Sequence, residues 1–126
     1  MKEMTAEWVA KAENDFDVAH LARARETSPI TDAVCFHSQQ CAEKYLKAFL
    51  QENRIRFPHA HPLIPLLDLC LAANAEFESL RQDLDRLDGY AVAARYPGIL
   101  VTTEMAEAAL SATTRVRSFI RAKLGL

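Results

Sequence analysis

The apolar residues of this chain recur every three or four positions, which predicts helices throughout and no β-strand. A first helix is predicted over residues 5–25, with an apolar face formed by Trp8, Ala12, Phe16 and Ala19. Ser28 and Pro29 predict the start of a second helix, because proline is favoured at the first helical position. This second helix is expected to continue to about Asn53.

Three further helices are predicted in the second half of the chain. Pro62 opens a third helix, whose buried stripe comprises Leu63, Leu66, Leu67 and Cys70. A fourth helix is expected over residues 77–94 and should end before Pro97, which disfavours helix at the preceding residue. Thr102 or Thr103 caps a fifth helix. The predicted fold class is therefore all-α, an antiparallel up-and-down bundle of about five helices in one domain over residues 1–126.

The second helix has an unusually wide apolar arc. Its apolar residues span roughly 200° of the helix circumference, whereas a surface helix needs only a little over about 100°. We therefore predict that a second copy of the chain covers part of this helix in a homodimer. The opposite wedge is polar and contains His37, Gln40, Lys44 and Lys47. This wedge is a candidate surface for a phosphate or an acidic partner; the alternative is a solvated face with a Glu43–Lys47 helical ion pair.

Composition narrows the classes of function. The chain has 126 residues and a net charge of −2, so no overall basic field would hold nucleic acid nonspecifically. Its three cysteines include no CxxC motif, which favours reduced, buried thiols and a cytoplasmic location. The N-terminal residues do not resemble a signal peptide, and no apolar run has the length of a membrane span.

Several motifs together resemble the HEPN domain (higher eukaryotes and prokaryotes nucleotide-binding). They are Trp8-x3-Ala12-x2-Asp15-Phe16, the block from Phe36 through Gln39-Gln40-Cys41-Ala42-Glu43-Lys44-Tyr45 to Ala48, His61 before a leucine-rich helix, and Tyr90 followed by Arg95-Tyr96-Pro97. The resemblance covers nearly the whole chain. It implies a helical bundle that dimerises, a nucleotide as a possible ligand, and a minimal nucleotidyltransferase as partner in a toxin–antitoxin-type pair.

One branch of this family consists of metal-independent ribonucleases, which carry Arg, four to six residues and then His near the start of the last long helix. The fifth helix here has no histidine, so the resemblance favours a binding and regulatory module over an enzyme. The same spacing occurs in the loop before the third helix, in the pairs Arg54–His59 and Arg56–His61. These pairs are the candidates for a ribonuclease toxin, and the alternative is an ordinary polar loop. A dimeric scaffold without a small ligand is the third possibility.

Arg95 and Tyr96 are a second candidate ligand site. A guanidinium suits a phosphate or carboxylate, and an aromatic ring can stack on a base. Alternatively, Arg95 forms an ion pair with Asp15, an acid beside the apolar residue Phe16 that is predicted to face inward. No metal site is predicted, because His59 and His61 have no evident third ligand, and Asp17-x2-His20 occurs once, without the second motif of a di-iron bundle.

Overall fold

Five α-helices and one short 3₁₀ helix account for 77% of the residues, with no strand. The computed structural model describes residues 1–126. The α-helices are α1 (Glu3–Ala24), α2 (Thr31–Glu52), α3 (Leu63–Ala73), α4 (Arg81–Arg95) and α5 (Thr103–Lys123), and the 3₁₀ helix is Ala75–Leu80. The predicted all-α fold class is therefore confirmed.

Most helix ends lie within a few residues of their predicted positions. Thr102 caps α5, since its side chain accepts a 3.1 Å hydrogen bond from the backbone nitrogen of Met105. The predicted role of Pro29 is wrong, because α2 begins only at Thr31. The backbone nitrogen of Ile30 instead donates to the carbonyl of Ala22, which closes the connection between α1 and α2.

The predicted fourth helix is divided in two. Residues 75–80 form the 3₁₀ helix and α4 follows directly. The side chain of Asn74 accepts a hydrogen bond from the backbone nitrogen of Glu76, which fixes the start of this segment. Phe77 is fully buried and lies between the rings of Phe49 and Phe119, at centroid distances of 4.4 and 5.0 Å. The apolar spacing therefore identified the buried residues. It could not separate the 3₁₀ helix from α4, because the two helices follow one another and bury the same side.

The central helix of the bundle is α2, which packs against α1, α3, α4 and α5. Tyr45, Leu46 and Leu50 are fully buried within the single chain. Most of the wide apolar arc is therefore covered by the chain's own helices. The inference from this arc to a homodimer is therefore wrong, because a helix at the centre of a single-chain bundle needs an equally wide apolar arc.

α1 and α4 run antiparallel to α2, whereas α5 runs parallel to it, so the ends of α1 and α4 meet the starts of α2 and α5 at one end of the bundle. The end of α1 bonds to the residue before α2, and Arg23 of α1 reaches Glu107 near the start of α5. Arg95, the last residue of α4, lies over the ring of Phe36 near the start of α2. This end carries seven of the ten exposed large apolar side chains, here called the apolar end: Val18, Leu21, Ile30, Val92, Tyr96, Ile99 and Leu100.

Candidate functional site

The polar wedge of α2 is only partly a surface. His37, Gln40 and Lys44 are half-buried, in contact with neighbouring helices. Lys47 is only 5% exposed, so its assignment to an exposed binding surface is wrong. Trp8 of α1 and Phe57 of the loop before α3 cover it, with ring centroids 5.4 and 5.9 Å from its ammonium nitrogen.

A buried carboxylate of α1 organises the open part of the wedge. Asp15 is 8% exposed; its Oδ1 lies 2.8 Å from Nδ1 of His37 and its Oδ2 lies 2.5 Å from the ammonium of Lys44. In the neutral imidazole, this contact favours a proton on Nδ1 and leaves Nε2 without a protein partner. Asp15 therefore neutralises Lys44 and fixes the orientation of His37.

The predicted pair between Asp15 and Arg95 is wrong. Asp15 is buried as expected, but α2 supplies both of its partners. Arg95 forms no ion pair and instead lies with its guanidinium carbon 5.4 Å from the centroid of Phe36. His37 contacts the same ring edge-on at 5.2 Å. Phe36 thus lies between two groups. On one side are Asp15, His37 and Lys44, and on the other is the exposed Arg95, which has no carboxylate partner.

Next to Arg95 is a cleft of about 230 Å³ between α2, the start of α3 and α4. Gln39 lines it and donates to the carbonyl of His61 at 2.9 Å and to Asp88 at 3.3 Å. Asp88 in turn accepts from the backbone nitrogen of Leu63. Burial raises the pKa of Asp88, against the lowering effect of these hydrogen bonds. Sequence reasoning missed Gln39 as a site residue, although a polar amide within the apolar arc of α2 was the available signal.

A buried ion pair closes the far end of the wedge. The Lys47 ammonium lies 3.0 Å from Oε2 of Glu43, and both side chains are at most 6% exposed. The other oxygen of Glu43 lies 3.1 Å from Nδ1 of His61. The predicted Glu43–Lys47 pair therefore exists, but it lies in the interior and links α2 to the loop before α3.

The two Arg-x4-His pairs of this loop are placed differently. Arg54, Arg56 and His59 line one cleft, whereas His61 lines the cleft beside Arg95 and contacts Glu43. The structure therefore brings Arg54 and His59 to one site but directs Arg56 and His61 to different clefts. No group of three or more His, Cys, Asp or Glu side chains is arranged to hold a metal ion.

A further polar cluster joins α1, α2 and α5. Arg117 donates two hydrogen bonds to Glu13, at 2.6 and 2.7 Å, and Tyr45 donates one at 2.7 Å. The Arg117 hydrogen bonds are the main cause that lowers the pKa of Glu13, while burial raises the pKa of Tyr45 to about 12. Arg121 also donates to the hydroxyl of Tyr45, at 3.2 Å. Sequence reasoning missed this cluster; the spacing of Arg117 and Arg121 by one helical turn was its only signal.

The three cysteines are buried and free. Burial raises the pKa of Cys35 to about 11 and that of Cys41 and Cys70 to about 12. Their thiols therefore stay protonated near neutral pH, which is unfavourable for nucleophilic chemistry. None of the helices has the length and apolar character required to cross a membrane.

A family model described as the HEPN domain matches residues 5–123. Two solved structures have similar folds. ST0689, an archaeal HEPN homologue, is 25% identical with a TM-score of 0.73, and the match covers 98% of each chain. TT1696 from Thermus thermophilus is 25% identical with a TM-score of 0.76, over 97% of this chain and 99% of that one. No curated protein gives a significant match.

Proposed function

The chain belongs to the HEPN domain family, and on that premise we propose that it is a binding and regulatory module whose partner is a minimal nucleotidyltransferase. Such a pair would be of the toxin–antitoxin type. The ligand-binding surface that we propose consists of Arg95, Tyr96, His37, Gln40 and Lys44, and its ligand is a nucleotide or another phosphate-bearing group. Lys47 is left out because it is buried.

The observation that carries this proposal is that Arg95 is an exposed cation without an ion-pair partner. Its guanidinium is exposed at the end of α4, has no carboxylate partner and is supported by the face of Phe36. A guanidinium in this state retains its donors for a planar anion, and a phosphate would not compete with an internal ion pair. Tyr96 is 61% exposed beside it and offers an aromatic face.

The charges around Arg95 also favour a small, specific ligand over a general anion surface. Asp15 neutralises Lys44, and Glu43 neutralises Lys47. Gln39 and Gln40 contribute neutral amides, joined by a 2.8 Å hydrogen bond. Asp88, which lines the same cleft as Arg95, already accepts hydrogen bonds from Gln39 and from the backbone of Leu63. One cation with neighbouring hydrogen-bonding groups suits a single phosphate better than a nucleic acid backbone, which needs several cations.

We predict that Arg95→Gln weakens binding of the ligand at least about tenfold, equivalent to about 1.4 kcal/mol. The melting temperature should change little, since the internal contact of Arg95 is a cation–π contact worth about 0.5–1 kcal/mol at an exposed site. Titration calorimetry with ATP, GTP and minimal nucleotidyltransferases from the same genome measures this. Arg86→Gln, an exposed α4 arginine without an ion pair, is the control. Equal loss in both variants, or none in Arg95→Gln, would exclude Arg95 from ligand binding.

We further propose that the protein is a homodimer and that the apolar end, apart from the ligand-binding Tyr96, forms its interface. The other six apolar residues there are exposed to between 39% and 82%. A standard interface buries about 800 Å² per partner, and these side chains would form its apolar centre, with polar neighbours at the rim.

The expected result in solution is a dimer mass at micromolar concentration, measured by light scattering after size exclusion. Leu21→Glu and Leu100→Glu should each shift the mass towards the monomer, because a carboxylate buried in an apolar interface is costly. Met4→Glu is the matched control, since Met4 is 51% exposed near the opposite end of α1. A monomer mass for the unaltered protein would exclude the dimer, and an effect of Met4→Glu alone would place the interface elsewhere.

A further inference from the structure

The loop between α2 and α3 forms a basic cleft on another part of the molecule. Its volume is about 420 Å³, and its lining residues are Gln51, Arg54, Ile55, Arg56, Phe57 and His59. None of these residues is acidic, and neither Arg54 nor Arg56 forms an ion pair within the chain. These two exposed guanidiniums concentrate positive charge in one cleft of a chain whose net charge is −2.

The nearby carboxylates are already engaged elsewhere. Glu52, the last residue of α2, accepts a 2.9 Å hydrogen bond from the backbone nitrogen of Lys2. Glu43 is occupied by Lys47 and His61. The cleft therefore keeps a local positive charge that the protein itself does not neutralise, which is the electrostatic condition for binding an anion.

The loop is held in place by the rest of the structure. The backbone nitrogen of Arg54 donates to the carbonyl of Gln51, and that of Ile55 donates to the carbonyl of Leu50 at 2.9 Å. Phe57 packs edge-on against Trp8, with the ring centroids 6.0 Å apart. A cleft with a fixed backbone loses little conformational freedom when a ligand binds.

The backbone at Arg54 adds an independent observation. Its φ angle is +57°, in the left-handed region, and it is the one non-glycine residue of the chain there. Glycine or asparagine normally occupies this position after a helix, because other side chains raise the conformational energy. The backbone conformation at Arg54 is therefore unfavourable for an arginine. No ion pair of its side chain within the chain compensates for this cost.

We propose that this cleft binds the phosphate group of a small phosphorylated ligand, for which AMP serves as the probe. Arg54 and Arg56 would hold the phosphate, with His59 as a further donor, and the half-buried apolar surface of Ile55 and Phe57 would contact the planar body of the ligand. The site is separate from Arg95, since Gln51 and Phe36 are fifteen residues apart on α2, about 22 Å along the helix.

The test is an amide NMR titration of the full-length, isotope-labelled chain with AMP, adenosine and inorganic phosphate. AMP should shift the amide signals of residues 51–59, and adenosine should not. AMP should bind at least about fivefold more tightly than inorganic phosphate if Phe57 contacts the base. Absence of shifts with AMP up to about 10 mM would overturn the proposal, as would equal shifts with adenosine.

Variants separate this site from the one at Arg95. Arg54→Gln/Arg56→Gln should weaken AMP binding at this loop at least about tenfold, whereas Arg86→Gln and Arg95→Gln should leave it within about twofold. If Arg95→Gln abolishes the AMP response and the double variant preserves it, this inference fails while the function proposed for Arg95 stands. If both sites are real, each variant removes only the shifts of its own region.

Arg54→Gly distinguishes a binding role of this residue from a structural one. Glycine adopts the observed φ without strain, and the change removes no ion pair from the folded protein. The melting temperature should therefore be unchanged or higher while AMP affinity falls. A lower melting temperature with unchanged affinity would assign Arg54 to the fold and overturn its role in binding.

Discussion

Replacement of Lys47 by methionine is expected to destabilise the protein by about 3–5 kcal/mol, because it leaves the carboxylate of Glu43 buried without its cation. Both side chains of this pair are at most 6% exposed, and their charged atoms lie 3.0 Å apart. Methionine has a similar length and keeps most of the packing against Trp8 and Phe57. The loss of stability should therefore come from the unpaired charge of Glu43 and not from a cavity.

The double variant Glu43→Leu/Lys47→Met distinguishes the cost of an unpaired charge from the value of the pair. Replacing both partners of a buried ion pair with apolar residues is often neutral or stabilising. We therefore expect the double variant to unfold close to the unaltered protein, while the single variant melts about 10 °C lower or more. Thermal and urea unfolding followed by circular dichroism measure both.

Lys11→Met is the matched control, because Lys11 is exposed on α1 and has no ion pair. A surface substitution of this kind should stay within about 0.5 kcal/mol of the unaltered protein. If Lys47→Met also stays within that range, His61 alone satisfies Glu43 and the buried pair contributes little. In that case, adding His61→Ala to the Lys47→Met variant should produce the loss of stability that Lys47→Met alone did not.

The fold followed from the sequence because amphipathic periodicity specifies which residues face the core. Leu63, Leu66, Leu67 and Cys70 of α3 are all buried as predicted. The same pattern cannot specify what covers a helix. The wide arc of α2 indicated two covering surfaces, and in the structure its own chain supplies them through four other helices.

The site was harder to predict, because its partners depend on how the helices are rotated and on a loop. Periodicity indicated that Asp15 faces inward, but not that His37 and Lys44 lie closer to it than Arg95 does. Lys47 was assigned to the surface because a helical wheel contains no information about Trp8 and Phe57, which approach from distant segments. Arg95 and Tyr96 are exposed as a ligand role requires, and that role remains a prediction.

The cluster around Glu13 provides a second large effect, and one that depends on pH. Glu13 accepts two hydrogen bonds from Arg117 and one from Tyr45, so it links α1 to α5 and α2. Hydrogen bonds to a charged group contribute about 1.5–3 kcal/mol each when they are removed singly. Glu13→Gln should therefore cost about 2 kcal/mol at pH 7, because the amide can accept from Tyr45 but cannot attract Arg117 as an anion does.

The sign of the pH dependence follows from the lowered pKa of Glu13 in the folded state. Unfolded glutamate titrates near about 4.3, so the folded protein holds Glu13 ionised at a pH where the unfolded chain binds a proton. The stabilisation is complete above the unfolded pKa and is lost as the pH falls through the folded pKa. The difference in unfolding free energy between the two proteins should therefore be constant from about pH 6 to 8 and shrink towards about pH 3.

Urea unfolding of the two proteins at a series of pH values measures this difference, with Glu7→Gln as the control. Glu7 lies on α1 too, but it is exposed and forms no ion pair, so its variant should differ little from the unaltered protein at any pH. A Glu13→Gln difference that stays constant down to about pH 3 would mean that the loss comes from packing and not from the Arg117 contact. A difference that shrinks only for Glu13 would identify this carboxylate as a principal acid-sensitive link between α1 and α5.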